Sequence, residues 1–249
     1  MSIIIFRNLL KKVESKIFLS CSLFPLLIVI TSLFDTKLLQ MNAPKGSLSF
    51  IEFFGSMISV QFQMVIPYII LIYLVISIFG NEIKTGKLYL YKDMYRNKIL
   101  NLKLKAILMV YMTYIIILFI ASLITYFLCL KNFFYVSGYF FANEMIYTQS
   151  AFFEVGSYVS LGIMLILLTM LISMFCSSGI TMLGSIFFIM LSVILPHLHL
   201  GKYIVPNGYI NQIEALGIGP AVLLASLVFL FSSFIIYTLS SKKFINIEF

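Results

Sequence analysis

FGNEIKTGKLYLYKDMYRNKILNLKLK, residues 79–105, decides how this chain folds. It holds seven of the seventeen Lys and Arg residues: Lys84, Lys87, Lys92, Arg96, Lys98, Lys103 and Lys105. Long, nearly uncharged apolar runs flank it on both sides. A basic island of this kind cannot sit in hydrocarbon. It lies in water or at headgroup level, and its sign indicates the cytosolic side. Read as a helix, its middle has two faces, with Tyr91, Met94 and Tyr95 on one and Lys92, Arg96 and Lys103 on another. Asp93 stands within one turn of Arg96 and Asn97.

The composition sets the class. The chain is 61% hydrophobic and 10% charged, with a mean hydropathy of +1.08, whereas soluble domains carry about 25% charged residues. A soluble fold of this length could not hide so much apolar surface, so an all-α integral membrane protein is expected. A helical span needs about 20 apolar residues. The apolar runs are continuous rather than alternating, which excludes an outer-membrane barrel. The basic stretch Arg7 to Lys16 precedes an apolar run too long for a signal core, so no cleavable leader is expected. Cys21, Cys129 and Cys176 fall in or at the ends of apolar runs and read as small apolar residues, without disulfide or metal-ligand spacing.

In chain order, residues 3–16 read as an amphipathic interfacial helix, with Ile3, Phe6, Leu10, Val13 and Ile17 on one side and Arg7, Lys11 and Glu14 on another. Six spans are then expected, at about 17–34, 57–80, 106–130, 155–176, 180–195 and 220–239, within a single transmembrane domain over 1–249. Pro25 kinks the first. Gln61, Gln63 and Pro67 lie in the first half of the second, and the two amides are candidates for a substrate path, with helix packing as the plainer role. Residues 81–105 form the cytosolic loop. Residues 196–219, broken by Pro196, Gly201, Pro206, Gly208, Gly217 and Gly219, read as short helices and turns at the outer surface.

Six spans place the N-terminal segment (Arg7, Lys11, Lys12, Lys16), the island and the tail (Lys242, Lys243) on one side. That side then carries thirteen basic residues, against Lys37, Lys45, Lys131 and Lys202 on the other. The positive-inside rule puts both termini in the cytosol. The net charge of +8 follows from membrane sidedness and is not a nucleic-acid signature.

The chain has no G-x-x-x-x-G-K-[ST] phosphate loop and no H-E-x-x-H. His197 and His199, without a nearby acid or cysteine, make a poor metal site. No nucleophile has a recognisable partner. Ionisable groups are nearly absent from the apolar runs, which disfavours proton or sodium coupling, an intramembrane protease and a charged pore. The basic island suits an element docked in a partner's groove. The alternative is a loop that binds anionic headgroups, or an anchor or sensor that recruits a cytosolic partner without transport.

The layout resembles the permease subunits of type-2 ABC exporters: an amphipathic first helix, two spans, a basic loop opening with E-x-x-x-G, three further spans around a short turn, a broken outer segment and a last span. Glu82, Gly86, Leu88, Arg96, Ile99, Leu100 and Lys103 stand at the positions of that family's local pattern. Asp93, Met94 and Tyr95 replace the Thr/Ser-Pro pair that many members carry. The resemblance covers the whole chain in layout and about 25 residues in motif. It implies two copies of a separate ABC ATPase holding ATP and Mg, no cofactor on this chain, and a second permease, identical or homologous. It further implies a coupling element at Glu82, Gly86, Tyr91, Lys92, Asp93, Met94, Tyr95, Arg96, Asn97 and Lys98, and an outer gate at Pro196, Pro206 and Gly208. The compact size is similar to small Gram-positive exporters of amphipathic peptides, including those that protect against lantibiotics. That implies the cytoplasmic membrane of a low-GC bacterium.

Overall fold

A computed structural model gives the fold, and it describes residues 2–33, 46–86 and 95–246. Eleven α-helices are described: α1 Ser2–Leu10, α2 Val13–Cys21, α3 Pro25–Leu33, α4 Phe50–Gln63, α5 Ile66–Ile78, α6 Gly80–Lys84, α7 Arg96–Leu128, α8 Met145–Phe175, α9 Ser178–Ile194, α10 Ile213–Leu216 and α11 Ile218–Ile245. Among the described residues the one β feature is an isolated bridge between Leu48 and Val136. Five helical segments are long and apolar enough to cross a membrane: Ile66–Ile83, Arg96–Leu128, Met145–Phe175, Ser178–His197 and Ile218–Ile245. The chain is therefore a helical, multi-pass membrane protein.

The first expected span is not among the five. Its residues form two nine-residue helices, α2 and α3, each far short of the ~20 residues a crossing needs. Pro25 opens the second piece, where its missing N–H costs no helical bond. The interfacial helix expected over 3–16 is also divided, at Lys11 and Lys12. Its expected apolar stripe splits as well. Ile3, Val13 and Ile17 are exposed, while Phe6 and Leu10 pack partly buried against the core.

The second expected span is longer and more broken than its hydropathy indicates. It starts at Phe50 because Ser49 and Glu52 form a reciprocal cap. Glu52 Oε2 accepts from Ser49 N at 2.8 Å and from Ser49 Oγ at 2.6 Å, satisfying donors that the first turn leaves orphaned. It breaks at Met64 and Val65. Pro67 follows closely and cannot supply a ladder donor. Val65 takes a left-handed φ of 62°, alone among the described non-glycine residues. A β-branched residue holds that conformation only where its surroundings enforce it.

The other long helices outrun their apolar cores. α7 begins at Arg96, inside the basic island, and runs unbroken for 33 residues, about 50 Å at 1.5 Å per residue. α8 begins at Met145, ten residues before its expected start. The core joins α2, α4, α5, α7 and α8. Phe18 stacks on Tyr114 at 4.4 Å, and Phe50 meets Phe119, Tyr126 and Phe140.

α7 and α8 approach closely at Gly162, where any Cβ would overlap the ring and hydroxyl of buried Tyr111. Gly162→Ala should therefore cost about 1–3 kcal/mol by overpacking. Gly156→Ala, on the same helix with open space around it, should be neutral or mildly stabilising. Thermal unfolding of the two variants in detergent checks this, and equal melting would contradict the packing described.

Candidate functional site

Two clusters stand out, one at each end of the bundle. At the first end, the short helix α6 puts Glu82 beside Lys103 of α7. Lys103 Nζ donates to Glu82 Oε2 at 2.5 Å and approaches Ile78 O at 3.5 Å. The Lys103 side chain is 5% exposed and that of Glu82 25%. Lys12, at the α1–α2 joint, donates to Ser77 Oγ at 3.3 Å and brings a second cation near the pair. Gly86 closes α6 with φ +66° and donates its N–H to Ile83 O, a left-handed cap that favours glycine.

The start of α7 is strapped to the end of α11. Arg96 Nη1 donates to Ile245 O, Ser241 Oγ to Asn97 Oδ1 at 3.0 Å, and Tyr237 OH to Asn101 Oδ1 at 2.7 Å. Asn97 and Asn101 are one turn apart, as are Tyr237 and Ser241, so two antiparallel helices share a polar seam. Tyr95 is 87% exposed and Lys98 is exposed, so these two face outward while Arg96 and Asn97 turn toward α11. Ser178 at the start of α9 donates to Asn81 Oδ1 at 3.2 Å, and Lys243 lies 4.8 Å from the Phe175 ring centroid. Thus α1, α6, α7, the α8–α9 turn and α11 meet at the basic end. Of the expected coupling residues, Glu82 and Gly86 stand on and just after α6, and Tyr95, Arg96, Asn97 and Lys98 stand at the start of α7. Tyr91, Lys92, Asp93 and Met94 lie outside the described residues.

At the other end, residues 195–212 fold as three 3-10 turns, Leu195–His197, Gly201–Tyr203 and Pro206–Gln212. Gly208 sits so close to Lys202 that a Cβ would overlap the Lys202 carbonyl oxygen and lie 2.8 Å from its carbon. Asn207 Nδ2 donates to Ser192 O at 2.9 Å and Tyr209 OH to Tyr203 O at 3.1 Å. Pro206 is buried and lines an apolar groove of about 730 Å³ between α8 and α11.

Beneath this segment lies a smaller, polar cavity of about 240 Å³, lined by Gln63, Glu154, Tyr158, Pro196, His197 and Asn207 among others. It joins one expected path residue, Gln63, to one expected gate residue, Pro196. Gln61 instead bridges helices: its Nε2 donates to Cys21 O at 3.1 Å, and its Oε1 accepts from Tyr114 OH at 3.3 Å. The sequence reading missed Glu154, placing it in a loop before a span at 155. It is the tenth residue of α8, and its carboxylate packs on Gly55 of α4, where a Cβ would lie 3.1 Å from Oε2. No local pattern in the sequence marks it, because its neighbour Gly55 is far away in the chain.

No protein-family model, curated protein or solved structure matches this chain.

Proposed function

We propose that this chain is the membrane permease subunit of an ATP-driven exporter of the type-2 ABC kind, moving an amphipathic or apolar cargo, best matched by a peptide, out of a bacterial cell. The observation that carries the reading is the convergence at the basic end. The Glu82–Lys103 pair and the α7–α11 seam tie α6 and α11 to the first turns of one 33-residue helix.

In this reading, closure of two partner ATPases, which hold the ATP and Mg, acts on the element ending at Tyr95 and Lys98. Those two residues face the partner, and Arg96 and Asn97 pass the displacement to α11. A rigid α7 carries it about 50 Å along the bundle, and the 195–212 segment opens at the far end. A second permease, identical or homologous, completes the path. The five candidate spans, joined by one crossing built from α2 and α3, would give six spans with both termini cytosolic.

The test is reconstitution with the partner ATPase. Arg96→Glu should lower cargo-stimulated ATP hydrolysis roughly tenfold, within the usual range of coupling free energies, while membrane insertion is unchanged. Lys98→Glu, away from the α11 seam, should weaken ATPase association itself. Normal stimulation in both variants would overturn the assignment.

A further inference from the structure

We propose that the polar cavity lined by Gln63, Glu154, Tyr158 and Asn207 is a binding site for a primary ammonium group. The site does not require the exporter reading, although on that reading the ammonium belongs to the cargo.

Its electrostatics favour a cation from several directions. Glu154 contributes a carboxylate. α4 ends at Gln63 and α9 ends at Ile194, next to the lining residues Val193 and Pro196. The negative ends of two helix dipoles therefore lie beside one space. Breaks in membrane helices that aim such ends at a midplane cavity are a recurrent way to hold cations. Here the break at Val65 is what ends α4 at that depth.

A second, independent feature is Asn207. It lines the cavity, is 5% exposed, and its Oδ1 is buried without a hydrogen-bond partner. Its orientation is fixed, because Nδ2 must donate to Ser192 O. The unsatisfied end is therefore an acceptor, and a buried acceptor left unpaired is costly. The amides of Gln63 and Asn207 lie beside the Tyr158 hydroxyl, and Ser59 lies beside Glu154. A primary ammonium offers three donors to a carboxylate and an unpaired amide oxygen.

Other cations fit less well. Among the described residues no group of three or more His, Cys, Asp or Glu side chains is placed to hold a metal ion, and the cavity adds only exposed His197 to Glu154. A quaternary ammonium needs several aromatic walls, and Tyr158 is the one aromatic lining residue.

The test uses the purified full chain in mild detergent, without any ATPase, titrated with n-butylammonium by calorimetry. Saturable binding is expected, with n-butanol and tetramethylammonium inert. Glu154→Gln should weaken binding roughly tenfold or more, the scale of a lost charge-assisted hydrogen bond. Glu154→Asp should retain most of it. Glu154→Gln should melt with the wild type in detergent, which guards against a variant that merely misfolds, and Gly156→Ala, on the same helix with open space around it, should bind as the wild type does. Competition by N-acetyl-lysine amide would assign the group to a peptide, and competition by a short-chain phosphatidylethanolamine to a lipid; either supports the site. Equal binding by wild type and Glu154→Gln, or binding of n-butanol as tight as that of n-butylammonium, would overturn it. Because no ATPase is present, loss of this result leaves the exporter reading standing, and loss of ATPase coupling leaves this site standing.

Discussion

Glu82→Gln should destabilise the chain by about 3–5 kcal/mol, the usual consequence of removing one partner from a buried ion pair. The charge left behind is that of Lys103, whose side chain is 5% exposed. Its contact at Ile78 O, 3.5 Å away, is neutral. Lys12 adds a like charge nearby. Adding Lys103→Met to Glu82→Gln should recover most of the loss, because replacing both members of such a pair by apolar or neutral groups is often close to neutral. Thermal unfolding followed by size-exclusion chromatography in detergent measures all three proteins. A single variant that melts with the wild type would mean the pair is solvated, and a double variant as unstable as the single would mean that the cost lies in packing rather than charge.

Gly208→Ala should cost about 3 kcal/mol, at the upper end for overpacking. The obstacle is the main chain of Lys202, including its Cα at 2.9 Å. No rotamer change relieves a clash with backbone, so the 3-10 turns must separate. Asn207 is the adjacent residue, and its bond to Ser192 O should go with them. Gly219→Ala, with open space around its Cα, should stay within about 0.5 kcal/mol of wild type. Limited proteolysis of the outer segment gives a second readout. Faster cleavage is expected in Gly208→Ala and not in Gly219→Ala, and equal cleavage would contradict the close approach of Gly208 to Lys202.

The helical membrane class was legible because apolar runs of this length leave few other solutions. The α8–α9 pair was legible from the short gap between the spans expected at about 155–176 and 180–195. Several helices begin before the apolar runs that hydropathy marks, because a helix continues past its apolar core wherever its polar residues find partners. Arg96, Asn97 and Asn101 find theirs on α11, and Ser49 and Glu52 find each other. The S-x-x-E pattern at Ser49 was readable in advance, and the Pro25 break was half readable as a kink. The break at Val65 was not, since Pro67 alone does not say where the chain will bend. Glu82 and Lys103 were both singled out, but their pairing follows only once α6 and α7 are folded together. Glu154 escaped because its neighbour Gly55 is far away in sequence, and a lone acid at the edge of an apolar window looks like loop.

Affinity purification of the tagged chain from mild detergent, scored by mass spectrometry for a co-purifying ABC ATPase, tests the central claim most directly. The account predicts a stoichiometric ATPase whose recovery falls sharply with Lys98→Glu. Absence of any ATPase even after crosslinking would contradict it, and would leave the basic end as a lipid-binding and topology-setting surface.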